Sequence, residues 1–558
     1  MPDHLRPPET VRDHTLRLLR ELGLTTVFAN PGSTEVPFLV DLPDDIDFVL
    51  GLHEGSVVGM ATGWALARER PALVQLHTTA GLGNAVGALA TARVNRAPLV
   101  VLVGQQDRRH LAHEPFLAGR LEGLAGDYPV AVHQPVRAQD VPGAVARAHH
   151  EAVQGRGPVL VVVCMDDWAR PMDPDQPRAA PARVARPAHV APDDAAAAEI
   201  AAFLDGARSP ALVVGAGADS APAWRALTDL AERLGAPVFQ ESFGARAGFP
   251  QDHPLFAGHL PAERSRLRAA LRGHDAVLVV GAPALRQYIY ADGPLVDAGT
   301  RLAMVGDDPE EAHRGAADLA VIAPVAAFTA AVAALVDRRP DASTANGRLP
   351  ASDRAQDVTT SDRAQDVPAP PAEGEPLRAA HVLAALAERL GPDTAVVEET
   401  PSSRPRLHRL LPARAPLGFL SAAMGGLGFA LPAATGLRMA APTRPVVAVV
   451  GDGSALYQVQ ALWSAARYRV GVLFVVLSNG RYAVMDRLAE HGGGKAPWPD
   501  FPEVSLAALA RGLGCPAVEV ATHTELCRVL DEATADLAGR DTPLLLDVTV
   551  APDPDFAP

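Results

Sequence analysis

The sequence predicts an α/β protein made of three doubly wound parallel-sheet domains. Three observations carry this. Short apolar runs such as ALVQLH (72–77), PLVVLVG (98–104) and PVLVVVC (158–164) recur along the chain. Runs that are apolar on both faces fit strands covered by helices on either side of a parallel sheet. Helical stretches lie between the runs, so right-handed strand–helix–strand crossovers are expected. Finally, the pattern starts three times within 558 residues, which roughly 150 residues per domain allows.

The elements follow in order. VRDHTLRLLREL (11–22) reads as a helix with Leu16, Leu19 and Leu22 on one face. TTVFAN (25–30) is a strand, PGS (31–33) the turn after it, FVLGL (48–52) a strand, and 54–69 a helix rich in small residues. The second unit offers strands at ALVVGAG (211–217), PVFQ (237–240), AVLVVGA (276–282), LAMVG (302–306) and LAVIA (319–323). Residues 338–375, rich in Pro, Ala, Asp, Ser and Arg, carry SDRAQDV twice, at 352–358 and 361–367. So little apolar surface predicts a flexible linker in which a short duplication is tolerated. The third unit has strands at AVVEE (395–399), PVVAVVGDG (445–453), VLFVVLSNG (472–480) and PLLLDVTV (543–550), with a helix through 456–468. The expected domains are 1–180, 190–337 and 376–558, joined by the linker at 338–375.

Composition narrows the function. Hydrophobic residues make up 48% and charged residues 21%, a globular balance. Fifty basic against 65 acidic residues give a net charge of −15, which argues against a general nucleic-acid binder. Three scattered cysteines, Cys164, Cys515 and Cys527, argue against a disulfide scaffold and a cysteine-ligated zinc site. No apolar run approaches ~18 residues, so no membrane span is expected. The polar start MPDHLRPPETVRDH is not a secretory signal, and a cytoplasmic protein is expected. His149–His150 and His110/His113 lack partners at metal spacing and read as surface residues. VVGAGADSA (213–221) has two glycines of a dinucleotide fingerprint and lacks the third.

The strongest chemical signal is GDGSALYQVQALWSAARYRVGVLFVVLSNGRY (451–482). Asp452 stands at the end of one strand and Asn479 at the end of the next. If those strands are neighbours, both residues meet at the carboxyl edge, where open α/β sheets bind ligands. A carboxylate and an amide oxygen are hard donors suited, with diphosphate oxygens, to Mg²⁺. Gly451 and Gly453 let backbone approach phosphates, and a following helix start attracts anions. Gly-Asp-Gly alone is equally a tight turn; GDGS followed by SNG at this spacing is far more specific.

That pair of motifs resembles the thiamine diphosphate site of the thiamine diphosphate-dependent enzymes. FANPGSTEVPFL (28–39), HEGSVVGMATGWA (53–65) and QLHTTAGLGNAVGAL (75–89) resemble the pyrimidine-binding domain of the same family. With VGQQ (103–106), DDW (166–168), GAP (281–283) and GGLGFALPAA (425–434), the resemblance narrows to the benzoylformate decarboxylase branch and covers nearly the whole chain except the linker and extreme ends. It implies pyrimidine-binding, central and diphosphate-binding domains in that order, with thiamine diphosphate and Mg²⁺, or Ca²⁺, as cofactors. Asp452, Asn479 and the carbonyl of Arg481 are then the metal ligands. Glu54 shares a proton with the aminopyrimidine N1′. Ser33 contacts the substrate carboxylate, and His77 takes part in proton transfer. Leu427 props the cofactor in its bent shape. Gly425 and Gly426 line its pyrimidine side, and Ser402, Gly453, Ser454 and Tyr482 lie near the diphosphate. The cofactor bridges subunits, so the protein is expected to pair with itself, as a homodimer at minimum and usually a homotetramer.

One departure bears on the substrate. The branch has a second active-site histidine after GAP, whereas GAPALRQYIYADG (281–293) puts Tyr288 there. Tyrosine, with a reference pKa near ~10 against ~6.5 for histidine, is a poorer proton relay at neutral pH. His259 is a distant substitute, and Leu488 stands where the branch has an aromatic pocket residue. The resemblance implies non-oxidative decarboxylation of a 2-oxo acid, an aryl glyoxylate such as benzoylformate, to an aldehyde and CO₂. Two alternatives stay open: a carboligase or lyase that joins the acyl unit to a second aldehyde or 2-oxo acid, and a non-catalytic regulatory or assembly homologue. A nucleotide-dependent oxidoreductase built on 213–221 is a weaker third.

Overall fold

The first sheet carries β1 (Thr26–Asn30), β2 (Asp47–Leu50), β3 (Ala72–Leu76), β4 (Leu99–Gln105), β5 (Ala131–His133) and β6 (Pro158–Cys164), in the order β2-β1-β3-β4-β6-β5. The chain adds β2 on one side of β1 and β3 on the other, so sheet growth reverses between β1 and β3. Ligands bind at the carboxyl edge of such a switch. These are coordinates of a computed structural model, which describes residues 9–173, 192–339, 367–372 and 374–553.

The second sheet has β7 (Pro210–Val214), β8 (Val238–Gln240), β9 (Phe256–His259), β10 (Ala276–Val280), β11 (Arg301–Gly306) and β12 (Leu319–Ile322), ordered β12-β11-β10-β7-β8-β9. The third has β13 (Ala395–Glu399), β14 (Phe419–Ser421), β15 (Val446–Gly451), β16 (Leu473–Ser478), β17 (Ala517–Val520) and β18 (Leu544–Thr549), ordered β14-β13-β15-β16-β18-β17. Pairing is parallel, so the expected α/β class with three parallel sheets holds. Most of the linker expected over 338–375 lies outside the described residues.

Alternation sets the core. On β1, Val27 and Ala29 pack to one face with Leu16 and Leu19 of α1 (Val11–Leu22). Phe28 points to the other face, edge-on to Trp64 of α2 (Glu54–Arg68) at 6.4 Å. Thr10 caps α1 by accepting the Asp13 N–H, and Gly23 ends it in the left-handed region, where a side chain would be strained. Val446 to Val450 of β15 are fully buried, and each such valine contributes about 1.5–3 kcal/mol.

The chain forms two compact units. Among the described residues, one comprises 9–173, 422–520 and 535–549, the other 192–339, 367–372, 374–421, 521–534 and 550–553. Within the first unit, α2 packs on α3 (Thr78–Val94) and most closely on α4 (Ala430–Ala440). A methyl group on Gly63 would lie 2.0 Å from the Ala433 carbonyl, and one on Gly436 would lie 1.8 Å from the Met60 carbonyl. The helix rich in small residues is thus a close-approach surface.

One expected element changes. The helix through 456–468 is two, α5 (Asp452–Leu456) and α6 (Ala461–Arg467). Between them the winding tightens to bonds three residues apart, Ala461 to Gln458, Leu462 to Val459 and Trp463 to Gln460. A tertiary bond holds this turn, because Ser56 Oγ donates to Gln458 Oε1 at 2.7 Å. Four strands that the apolar runs did not reveal, β5, β9, β14 and β17, are all edge strands. Among the described residues no helix is long and apolar enough to cross a membrane.

Candidate active site

Three neighbouring strands of the first sheet each lead into a candidate residue: β1 into Ser33, β2 into Glu54 and β3 into His77. Glu54 opens α2 because His53 is extended and its Nδ1 accepts the Gly55 N–H at 3.0 Å. Its side chain is buried, and both carboxylate oxygens are engaged. Asn30 Nδ2 donates to Oε1 and Asn84 Nδ2 to Oε2, each at 3.1 Å. Asn30 ends β1 and Asn84 lies on α3, so Glu54, in the first turn of α2, sits in a hydrogen-bonded seat.

Ser33 is exposed in the turn after β1. His77 is the residue before α3, and Thr78 beside it holds φ +31°, a conformation β-branched residues avoid. His77 Nδ1 lies 2.9 Å from Glu35 Oε2 and 3.0 Å from Thr34 Oγ1. Asn30, Thr34, Glu35 and Asn84 were not singled out from the sequence, although all four fall inside the motifs quoted above.

β15 and β16 are neighbours, with Gly451 opposite Leu477. Asp452 and Asn479 therefore meet as expected. Asp452 Oδ2 accepts the backbone N–H groups of Asn479 at 2.8 Å and Gly480 at 2.6 Å, while Oδ1 accepts its neighbour Gly453 at 2.8 Å. Asn479 Oδ1 accepts the Arg481 N–H at 3.0 Å, and the Arg481 side chain pairs with Asp486 and Asp500. Burial raises the Asp452 carboxyl above its ordinary value, three backbone N–H groups oppose this, and Asp547 adds to the rise. A buried carboxylate near a second acid and beside an amide oxygen is a hard-oxygen set that suits a divalent cation.

Around this turn Tyr482 packs on Gly453, where a methyl group would lie 2.6 Å from Cε1, and its ring sits 5.1 Å from Phe501. Ser454 is buried at the start of α5. Gly425 (φ +70°) and Gly428 (φ +88°) bracket Gly426 and Leu427, and Leu427 is 38% exposed. A methyl group on Gly426 would lie 3.0 Å from Thr91 Oγ1 of α3. Leu488 is half-exposed on α7 (Ala483–His491).

The remaining candidates belong to the second unit. Ser402 is half-buried in the turn after β13. Tyr288 is 66% exposed after β10, its ring 6.4 Å from Phe243. His259 stacks on His408 at 3.7 Å, and burial pushes His408 down to about 3, so His408 meets its neighbour as a packed, neutral ring at physiological pH. The glycines of 213–221 serve packing. Gly217 N–H donates to the Gly281 carbonyl at 2.8 Å, and a methyl group on Gly217 would lie 2.9 Å from the Gly281 backbone.

Comparison with known proteins agrees along the chain. The family profile "Thiamine pyrophosphate enzyme, N-terminal TPP binding domain" matches residues 9–121, the central domain 197–332, and the C-terminal TPP binding domain 402–548. A benzoylformate decarboxylase of Pseudomonas aeruginosa is 40% identical over 97% of this chain and 98% of its own. The solved structure of the Rhodococcus jostii RHA1 thiamine diphosphate-dependent 4-hydroxybenzoylformate decarboxylase is similar with a TM-score of 0.88 and 36% identity, covering 98% of this chain and all of its own. That of benzoylformate decarboxylase from Polynucleobacter necessarius is similar with a TM-score of 0.88 and 33% identity, covering 99% and 100%.

Proposed function

The chain belongs to the thiamine pyrophosphate enzymes, with benzoylformate decarboxylases among its relatives, and from that premise we propose that it decarboxylates an aryl glyoxylate non-oxidatively, giving the aldehyde and CO₂. The observation that carries this is the convergence of Ser33, Glu54 and His77 after three neighbouring strands. Two proton-handling side chains and one hydroxyl donor then share one carboxyl edge, as acid–base work on a small oxo acid requires.

Thiamine diphosphate, when bound, supplies the nucleophilic carbon and the electron sink for loss of CO₂. The protein supplies the rest. Glu54 holds a proton at the aminopyrimidine N1′. Asn30 and Asn84 keep its carboxylate in place. Ser33 donates to the substrate carboxylate, and His77 moves a proton at the substrate oxygen and carbon. Tyr288 contributes shape and a hydroxyl, and Leu488 and Leu427 contribute apolar walls. Asp452, Asn479 and the Arg481 carbonyl hold Mg²⁺, a role Ca²⁺ can also fill. Ser402, Gly453, Ser454 and Tyr482 face the diphosphate, and Gly425 and Gly426 the pyrimidine. In this reading 1–180, 190–337 and 376–558 are the pyrimidine-binding, central and diphosphate-binding domains, and the working form is a homodimer or homotetramer.

The test is a panel of 2-oxo acids with added thiamine diphosphate and Mg²⁺, following CO₂ and carbonyl products with and without an acceptor aldehyde. Aldehyde and CO₂ in equal amounts from an aryl glyoxylate support the proposal. Product formed only with the acceptor replaces decarboxylation with carboligation.

A further inference from the structure

Glu35 is fully buried, in the turn that leads into the short helix Val36–Leu39. A buried carboxylate is costly unless hydrogen bonds replace its water. Glu35 has three donors. The Gly32 N–H donates to Oε2 at 2.7 Å, the Thr34 hydroxyl to Oε1 at 2.5 Å, and His77 Nδ1 lies 2.9 Å from Oε2.

Two glycines make room for this pair. A methyl group on Gly104 of β4 would lie 1.7 Å from Glu35 Oε1 and 2.4 Å from Thr34 Oγ1. One on Gly32 would lie 2.4 Å from His77 Nδ1. The carboxylate and the imidazole thus occupy volume that any larger residue at either position would fill.

The proton on His77 follows from the bonds. A carboxylate only accepts, and the Thr34 hydroxyl has already given its hydrogen to Glu35, so Nδ1 faces two acceptors and must carry the hydrogen. Nε2, which has no hydrogen-bond partner among the described residues, is left with its lone pair. When Nε2 takes up a proton, the imidazolium has a carboxylate against its other nitrogen.

We infer that Glu35 is the positioning residue for His77: it fixes the Nδ1–H tautomer, aims Nε2 at the reacting atoms, and neutralises the charge His77 gains in proton transfer. This rests on the proposed role of His77 in decarboxylation. A purely structural role, tying the turn together, is distinguishable. In Glu35→Gln the amide oxygen can take the Oε2 position and keep both the Gly32 N–H and the His77 Nδ1–H bonds, so the turn and the tautomer survive and only the charge is lost, whereas Glu35→Ala removes the acceptor and leaves Nδ1 to take the Thr34 hydroxyl hydrogen.

The experiment uses full-length holoenzyme loaded with thiamine diphosphate and Mg²⁺, labelled with [¹⁵N]histidine. Magic-angle-spinning NMR reads the His77 signal, identified by its loss in His77→Ala. The expected wild-type spectrum has the proton on Nδ1, Glu35→Gln keeps it there, and Glu35→Ala moves it to Nε2. On the best 2-oxo acid, Glu35→Gln lowers kcat by on the order of 10²–10⁴-fold with KM within about threefold, as loss of a histidine-orienting carboxylate does elsewhere. Added to His77→Ala, it costs less than about threefold more. A wild-type proton on Nε2 overturns the inference even if Glu35→Gln fails to fold. So does a proton that stays on Nδ1 in a folded Glu35→Ala, or a Glu35→Gln loss that is fully additive with His77→Ala. If the wild-type enzyme turns over no 2-oxo acid, the decarboxylase reading falls while the NMR arm still decides the role of Glu35.

Discussion

Asp452 accepts the backbone N–H of Asn479 at 2.8 Å, and this bond ties together the ends of two neighbouring parallel strands. The same carboxylate organises the 479–481 turn and, in the proposed function, holds the cation. The two roles separate experimentally.

Asp452→Asn keeps an oxygen for the turn's N–H groups but removes the charge. It should fold, with a melting temperature within a few degrees of wild type, yet bind thiamine diphosphate and Mg²⁺ at least about a hundredfold more weakly, about 2.7 kcal/mol. Asp452→Ala should lose both, because the Asn479 and Gly480 N–H groups are left without their acceptor. Titration calorimetry measures the affinity. Wild-type affinity in Asp452→Asn means the carboxylate serves the turn alone.

Glu54→Gln should retain the fold and slow hydrogen exchange at the cofactor C2 by on the order of a hundredfold or more. Asn84→Ala frees Oε2 of Glu54 and should slow it less, by roughly tenfold, since Asn30 still holds Oε1. Quenched-flow deuterium exchange followed by NMR reads both rates. An unchanged rate in Glu54→Gln removes Glu54 from the proton path.

Tyr288 is 66% exposed, whereas His77 is partly enclosed with Nδ1 engaged. Tyr288→Phe should therefore cost no more than about tenfold in decarboxylation, about 1.4 kcal/mol of barrier. His77→Ala should cost ~10²–10⁴-fold. Steady-state rates on one aryl glyoxylate compare them. Equal losses mean that the tyrosine carries the missing histidine's work.

Glu241 follows β8, is buried, and has Oε2 without a hydrogen-bond partner among the described residues. Burial pushes its carboxyl from 4.5 up to about 7, Arg286 opposes this and Glu311 reinforces it. The folded value exceeds the unfolded one, so the folded protein keeps a proton that the unfolded chain releases. This contribution is complete below pH 4.5, is lost as pH rises to about 7, and leaves a buried charge above that. The size is a few kcal/mol, at about 1.4 kcal/mol per pH unit. Glu241→Gln should thus melt several degrees higher than wild type at pH 8 and close to wild type at pH 4.5. Calorimetry at the two pH values checks this, and identical melting at pH 8 contradicts it.

The sequence by itself determined the class, the strands of the sheet interiors and the motifs. An interior strand such as Val446–Gly451 is covered on both faces, so nearly every residue must be apolar, and the run is visible. The edge strand Ala131–His133 pairs on one side and stays half-exposed, so its composition carries no such signal. Asp452 and Asn479 were legible for a related reason. Each ends an interior run, and parallel neighbours bring their ends together. Glu35 and Asn84 were not legible, because a glutamate after a turn and an asparagine on a helix have many uses. Only the folded chain shows Glu35 beside His77, 42 positions away, and Asn84 beside Glu54, 30 positions away. Tertiary contact also broke the helix expected over 456–468, where the bond from Ser56 to Gln458 holds a tighter turn than local propensity selects. Periodicity encodes which surface is buried. Which polar groups satisfy one another there depends on distances between segments remote in the chain, and folding alone sets those.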